Sequence, residues 1–129
     1  MKDLKQAKAM LGMANKDLKA LEGMKSHEFF DDEIFGFHVQ QAIEKALKAW
    51  LALLGVEYPH TLDIAVLLHR LAEHGQNVEC RWELVEYGSF AVQFRYEAYP
   101  GNDAPLDRAT AIRQARGLVE YVEELLRER

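Results

Sequence analysis

Apolar residues recur at alternating intervals of three and four in two separate segments of this 129-residue chain. An α-helix has about 3.6 residues per turn, so this spacing places the apolar side chains on one helical face. The positions are Leu4, Ala7, Leu11, Ala14, Leu18 and Leu21 near the start, and Ile112, Ala115, Val119, Val122 and Leu126 near the end. Both segments therefore predict amphipathic helices, and such helices must bury their apolar faces against other elements.

Residues that start or stop helices set the bounds of the first two predicted elements. The first helix covers about residues 2–24. The second begins at the acidic pair Asp31 and Asp32, because carboxylates complement the positive end of the helix dipole. It ends near Leu54, where Gly55 can adopt the left-handed conformation common after a helix.

The predicted third helix begins near His60 or Thr61, which puts Asp63 in its first turn. Gly75 ends this helix. The last helix begins at Asp107, after a loop at 99–105 that is rich in proline, glycine, asparagine and aspartate.

The segment 79–96 is compatible with two structures. Trp82, Tyr87 and Phe90 are residues that favour strands, and a turn at Gly88–Ser89 would complete a β-hairpin. An isolated hairpin in a helical chain needs a helix to cover it, so we predict a helix here. The expected architecture is a single domain over residues 1–129, an all-α, up-and-down bundle of four to five helices.

Charge and cysteine content limit the classes of function. The formal net charge of −5 argues against broad electrostatic capture of nucleic acid, whose nonspecific affinity comes mainly from phosphate neutralisation. The single cysteine, Cys80, excludes an intramolecular disulfide and is typical of a reducing compartment, so we expect a cytoplasmic protein. No run of apolar residues is long enough for a membrane span.

The second helix carries polar side chains opposite its apolar arc. Phe37, Gln41, Glu44 and Lys48 share this polar face, with His38 and Lys45 on its flank. One interpretation is a solvated surface on which Glu44 and Lys48 pair across one turn. The alternative is a face covered by a ligand, another helix or a second subunit, which Phe37 favours because an aromatic ring is seldom placed in a polar stripe without a partner. Under either interpretation we expect Lys48 to be an exposed charge, so Lys48→Ala should leave stability almost unchanged.

Two short motifs on either side of the predicted second loop carry a family resemblance. Residues 40–48 read QQAIEKALK, and residues 60–64 read HTLDI. This pattern resembles the HEPN family, small helical domains of prokaryotes that are associated with nucleotides and RNA. The resemblance implies a helical bundle and a nucleotide- or RNA-associated binding module.

The resemblance also implies a ligand site and partners. In the related helical domain of kanamycin nucleotidyltransferase, a Glu and a Lys one turn apart line a nucleotide site, and Glu44 and Lys48 match them in type and spacing. Arg95 and Tyr96 partly match an Arg-Tyr pair near the end of the penultimate helix. The implied ligand residues are Phe37, Gln41, Glu44, Lys48, Arg95 and Tyr96. A homodimer and a separately encoded small nucleotidyltransferase are the implied partners.

Two rival functions stay open beside the binding module, a ribonuclease toxin of a toxin–antitoxin pair and a protein-interaction scaffold. HEPN ribonucleases carry an Arg followed, after four to six residues, by a His. Only three residues separate Arg70 from His74, so we assign no catalytic residue and expect that the chain is not an enzyme. We expect no metal, because the spacings of the histidines and Cys80 match no zinc pattern. We also expect no cofactor, because no glycine-rich phosphate-binding loop is present.

Overall fold

The computed structural model describes residues 3–26, 29–89 and 106–128. These ranges contain helices and no strand, which confirms the predicted all-α bundle. The α-helices are α1 (Leu4–Gly23), α2 (Asp32–Leu53), α3 (Ile64–Glu73) and α4 (Arg108–Arg127), and a 3₁₀ helix (Glu79–Gly88) lies between α3 and α4. Within the described ranges, no helix is long and apolar enough to cross a membrane.

Contacts at the two ends of α1 fix the direction of the long helices. The Asp3 N–H donates to the Ala52 carbonyl at 2.9 Å, which joins the start of α1 to the end of α2. At the other end, Arg108 in the first turn of α4 donates to the Met24 carbonyl at 2.6 Å, directly after α1. α1 therefore runs antiparallel to both α2 and α4.

The core lies where the apolar faces of these three helices meet. The predicted seam of α1 is buried from Ala7 to Leu21, and only Leu4, in its first turn, is exposed. The seam of α4 is buried from Ile112 to Val122, with Leu126 half-buried near the helix end. Trp50 and Phe35 are the largest fully buried side chains and stand on α2, the central helix. The spacing of apolar residues thus predicted the buried faces correctly.

The start of α3 differs from the prediction. The helix begins at Ile64, and Asp63 is its N-cap, with its carboxylate accepting from the Ala65 N–H at 2.9 Å. The Thr61 hydroxyl accepts from the Asp63 N–H at 3.0 Å and forms a turn outside the helix. Aspartate and threonine both cap helices well, and here the residue nearer the apolar run takes the cap.

Two loop glycines match their predicted roles. Gly55 follows α2 with φ of 72°, and Gly75 follows α3 with φ of 79°. Both values lie in the left-handed region, where a residue with a Cβ is strained. The two helix ends were therefore predicted from the sequence correctly.

The predicted helix at 79–96 begins as a 3₁₀ helix over Glu79–Gly88, and the rest of that prediction, from residue 90, lies outside the described residues. The side chains of Leu84 and Tyr87 are buried, three residues apart, and Val78 lies two such steps before Leu84. A 3₁₀ helix has three residues per turn, so this spacing keeps them on one side. The strand-favouring residues of this part therefore pack against the bundle from a helix.

Candidate functional site

The polar face of α2 is covered. Glu44 is only 5% exposed and Lys48 only 8%, and the Lys48 Nζ donates to the Glu44 Oε2 at 3.0 Å. The interpretation of this pair as a solvated surface pair is therefore wrong. Two opposite charges removed from water lose hydration energy that their attraction only partly returns.

The connector at 54–63 covers this face, because the chain turns back along α2 before α3 begins. The ring of Tyr58 lies 5.6 Å from the Lys48 Nζ. Nearer the start of α2, the Gln40 Nε2 donates to the Leu62 carbonyl at 2.7 Å. These two contacts fix the connector over the polar side chains.

Glutamine side chains complete a hydrogen-bonded network around the charged pair. The Gln41 Nε2 donates to the Gln40 Oε1 at 2.8 Å and lies 3.5 Å from the Glu44 Oε1. The Glu44 carboxylate thus has a donor at each oxygen, one from Gln41 and one from Lys48. A buried carboxylate needs such partners, so the network allows the charged pair to stay buried.

A cleft of about 400 Å³ lies beside this network at the end of the bundle where α1 begins. Its lining residues come from the start of α1, the end of α2 and the connector: Asp3, Gln6, Ala52, Gly55, Val56, Glu57, Tyr58 and His60. The Gln6 Nε2 donates to the Tyr58 hydroxyl at 2.7 Å. Tyr58 therefore lines the cleft and also contacts Lys48, which places the charged pair directly behind the cleft wall.

The structure brings together three of the predicted ligand residues, Gln41, Glu44 and Lys48. Phe37 is half-buried one turn before Gln41, with its ring edge-on to the neighbouring His38 ring at 5.7 Å. Arg95 and Tyr96 lie outside the described residues.

Sequence reasoning did not identify Gln40, Tyr58 or Gln6 as members of this site. Gln40 stands inside the motif at 40–48, so the motif itself was a signal for it. For Tyr58, the sequence contained only a weak indication, namely an aromatic residue in a short loop directly before Pro59. Gln6 gave no signal, because its contact with Tyr58 joins two distant parts of the chain.

A second polar cluster ties α1 to the flank of α2. Asp17 accepts from the Lys45 Nζ at 2.8 Å, and its other oxygen lies 3.3 Å from the His38 Nδ1. Burial acts to raise the pKa of the Asp17 carboxyl, but the hydrogen bonds to His38 and Lys45 outweigh it and hold that pKa below its usual value. The cluster therefore supplies a charged link between two helices.

Arg70 and His74 each contact a neighbouring residue of their own helix end. The His74 Nδ1 lies 2.9 Å from the backbone carbonyl of Arg70, and the Arg70 guanidinium lies 3.7 Å from the Glu73 carboxylate. Cys80 is a free, exposed cysteine. Among the described residues, no group of three or more His, Cys, Asp or Glu side chains is placed to hold a metal ion.

Comparison with known proteins identifies the family of this chain. The family model described as HEPN domain matches residues 7–126, which includes most of α1 and α4 and the whole polar network of α2. The search of curated proteins found no match, and the search of solved structures found none either. A match over nearly the whole chain, together with the helical bundle, shows that this protein belongs to the HEPN family.

Proposed function

We propose that this HEPN domain is a binding module for nucleotides or RNA, with its ligand in the cleft beside Tyr58. The observation that carries the proposal is the buried Glu44–Lys48 pair directly behind the cleft wall. A pair of apolar residues would fill that space at no cost in hydration, so stability alone does not explain the charges. In the helical domain of kanamycin nucleotidyltransferase, the matching pair lines a nucleotide site.

The side chains around the cleft favour a ligand with an aromatic base. Tyr58 offers its ring and its hydroxyl, and Gln6 offers an amide that can exchange its bond with Tyr58 for one with a base. Stacking on an aromatic ring contributes about 1–3 kcal/mol per base. Lys48 then supplies the positive charge for a phosphate once Tyr58 shifts, because its ammonium group lies against the Tyr58 ring.

The charges of the cleft favour a ligand with one phosphate over one with three. Asp3 and Glu57 line the cleft, and Lys48 is already paired with Glu44. A triphosphate would place several negative charges near these carboxylates, which Coulomb repulsion disfavours. We therefore expect a nucleoside monophosphate, or a nucleotide of an RNA chain, as the preferred ligand.

The proposal includes a homodimer and a protein partner. Phe37 is half-buried on the same face as Gln41, and HEPN domains commonly dimerise through helices with the ligand cleft near the interface. The proposed partner is a separately encoded small nucleotidyltransferase. Light scattering at micromolar concentration tests the dimer, and a monomer there contradicts it.

The described geometry favours binding over RNA cleavage. A general acid or base must reach the same phosphate as its cationic partner, and Arg70 contacts Glu73 while His74 contacts a backbone carbonyl. We expect purified protein to leave RNA intact. RNA cleavage that disappears in His74→Ala, with folding retained, would establish the ribonuclease alternative.

An NMR titration tests the proposed function. Amide signals of ¹⁵N-labelled protein are followed while AMP, ATP or a short RNA is added. We expect AMP and RNA to shift the signals of Gln6, Tyr58 and Lys48, and ATP to shift them less at equal concentration. If none of the three ligands shifts these signals, the cleft is not a nucleotide site and the protein-interaction scaffold becomes the better interpretation.

A further inference from the structure

A groove lies between α1 and α4 on the side of the bundle. One end of it is a cavity of about 690 Å³ at the start of α4, and the other is a concave surface of about 260 Å³ farther along the same two helices. The two adjoin, because Glu22 and Arg116 line both. Along α4 the groove extends from Ala109 to Glu123. At 1.5 Å per residue this is about 20 Å, or nearly four helical turns.

The two ends of this groove carry opposite charge. Apart from the shared pair, the cavity at the start of α4 is lined by three cations and one carboxylate: Lys25, Arg108, Arg113 and Asp107. The farther end is lined by two carboxylates and one cation: Glu120, Glu123 and Lys19. The groove therefore has a positive end and a negative end, and this polarity favours one direction for a charged segment that lies in it.

Charged side chains at both ends lack an ion-pair partner within the described residues. The Arg113 guanidinium donates to the Thr110 hydroxyl at 3.1 Å, and no carboxylate of the described ranges lies within ion-pair distance of it. Glu120 is exposed, and its side chain makes no hydrogen bond or ion pair with the part of the chain that the structure describes. Glu123 accepts from the neutral Asn15 amide at 3.1 Å. A partner can therefore pair with these groups without breaking an ion pair of the bundle.

The order of the charges along α4 is not explained by the stability of that helix. A helix dipole favours carboxylates near the start of a helix and cations near its end. The first turn of α4 contains Arg108 and no acidic residue, whereas Glu120 and Glu123 lie in the second half. This order is the reverse of the one that the dipole favours, so it points to a contact outside the helix.

The positive end of the groove also has an apolar floor. Ile112 is 3% exposed, and the half-buried Leu106 and the exposed Ala109 add two further apolar side chains. Arg108 holds the wall behind this floor, because its side chain is only 4% exposed and donates to the Asp32 carboxylate at 2.9 Å. An apolar side chain of a partner can therefore be buried at this end, next to the cations.

We propose that this groove binds one amphipathic helix of a partner protein, with carboxylates and an apolar residue in its first half and cations in its second half. The carboxylates contact Arg113 and Lys25, and the apolar residue lies on Ile112. The cations contact Glu120 and Glu123. Such a helix runs parallel to α4, and its own charge order is the one that a helix dipole favours. The groove shares no lining residue with the cleft beside Tyr58, so the proposal does not depend on a nucleotide ligand.

Two synthetic peptides of identical composition test the charge direction. Each has about 14 residues, the length that spans the groove, and a side-chain cross-link keeps each helical. Both carry the same apolar residues. The first peptide has glutamates in its first half and lysines in its second half, and in the second peptide these two blocks are exchanged. We expect the first peptide to bind about tenfold or more tightly than the second in fluorescence anisotropy. Equal affinity, or no binding of either peptide, contradicts the proposal.

Exchanging two charges in the protein should reverse this preference. Arg113→Glu with Glu120→Arg inverts one charge at each end of the groove and keeps the net charge at −5. The double variant should bind the second peptide more tightly than the first. Arg70→Glu with Glu73→Arg makes the same exchange on α3 and should leave the preference unchanged. If the groove variant has a normal circular dichroism spectrum and still prefers the first peptide, the site is wrong.

Sedimentation velocity distinguishes a partner helix from a second copy of this chain. Two antiparallel copies of α4 would place the positive end of one groove against the negative end of the other. Arg113→Glu would break such a contact at both ends. We expect the sedimentation coefficient of this variant to equal that of the wild type at micromolar concentration. Conversion of a dimer to a monomer by Arg113→Glu would show that a second copy fills the groove, and it would overturn the proposal of a partner helix.

Discussion

Lys48 and Glu44 are buried together, and this determines what their substitution should do. Lys48→Ala leaves the Glu44 carboxylate buried without its partner, so we expect a loss of about 3–5 kcal/mol in the free energy of unfolding. Glu44→Gln with Lys48→Met removes both charges and keeps the volume, so the double variant should lose less than about 1 kcal/mol. Urea unfolding measures both. If the single and the double variant lose equally little free energy of unfolding, the Glu44–Lys48 pair is solvated rather than buried.

Tyr87 is a buried phenol whose ionisation depends on the fold. Burial, followed by the nearby carboxylates of Glu86, Asp107 and Glu83, raises the pKa of Tyr87 to about 12 from 10.0. The folded state therefore keeps a proton that the unfolded state loses. This contribution to stability is complete below about pH 10 and is lost as the pH rises towards 12.

The tyrosinate absorbance gives the test for Tyr87. As the pH is raised, the tyrosinate absorbance of the wild-type protein should increase in a last step near pH 12. That step should be missing in Tyr87→Phe. The phenol also donates to the Gln114 Oε1 at 2.6 Å, so Tyr87→Phe leaves that amide without its donor. If every tyrosine of the folded protein ionises near pH 10, the Tyr87 phenol is not buried in solution.

At the residue level, the sequence predicted the members of the site that stand on one helix. Gln41, Glu44 and Lys48 are spaced for one face, and a helical wheel is enough to group them. It predicted them as polar and opposite the core but not as buried, because burial comes from the connector. Tyr58 and Gln6 meet across the fold, and no local pattern encodes that contact.

The N-cap of α3 can be tested against that of α2. The Asp63 carboxylate accepts from the Ala65 N–H, whereas Asp31, the N-cap of α2, makes no side-chain hydrogen bond to its helix. Asp63→Ala should lower the free energy of unfolding by about 1 kcal/mol. The matched control Asp31→Ala loses only a dipole interaction of a few tenths of a kcal/mol. Equal thermal shifts in the two variants would contradict Asp63 as the cap.

The contact of α1 with the flank of α2 should weaken in acid. The pKa of Asp17 lies below its usual value of 3.8, so the folded state favours the carboxylate. The stability that it contributes is present above about pH 4 and is lost as the pH falls through the lowered pKa of Asp17. Asp17→Asn should therefore cost roughly 1 kcal/mol at neutral pH and almost nothing in stronger acid.

Urea unfolding at neutral and acid pH measures that difference. Glu124→Gln is the matched control, because Glu124 pairs with Arg127 on an exposed part of α4. It should change the free energy of unfolding by less than about 0.5 kcal/mol. A cost for Asp17→Asn that stays constant with pH would show that the carboxylate charge is not the source of the stability.

At the level of elements, the sequence predicted α1, α2 and α4 well and the region between α2 and α4 less well. Apolar spacing over twenty or so residues gives a strong signal for a long helix. The start of α3 was set too early, at His60 or Thr61, because Asp63 was placed inside the first turn, whereas it is the N-cap. The 3₁₀ geometry of Glu79–Gly88 was not predicted, since its three-residue spacing also fits part of an α-helix.

Over the whole molecule, charge differs between the two ends of the bundle. The cleft beside Tyr58 has two carboxylates in its lining and a buried ion pair behind it, and the cavity at the start of α4 has an excess of cations. The net charge of −5 gives no indication of this separation, because the contacts between helices determine which charges share a concave surface.

Calorimetric titration of AMP is the most direct test of the proposed nucleotide module. It compares wild-type protein with the double variant Glu44→Gln, Lys48→Met, which should stay folded. We predict that AMP binds the wild type and that the double variant weakens binding about tenfold or more, since the phosphate loses its cation. Equal AMP affinity for the two proteins, or no AMP binding by the wild type, would contradict a nucleotide site at Glu44 and Lys48.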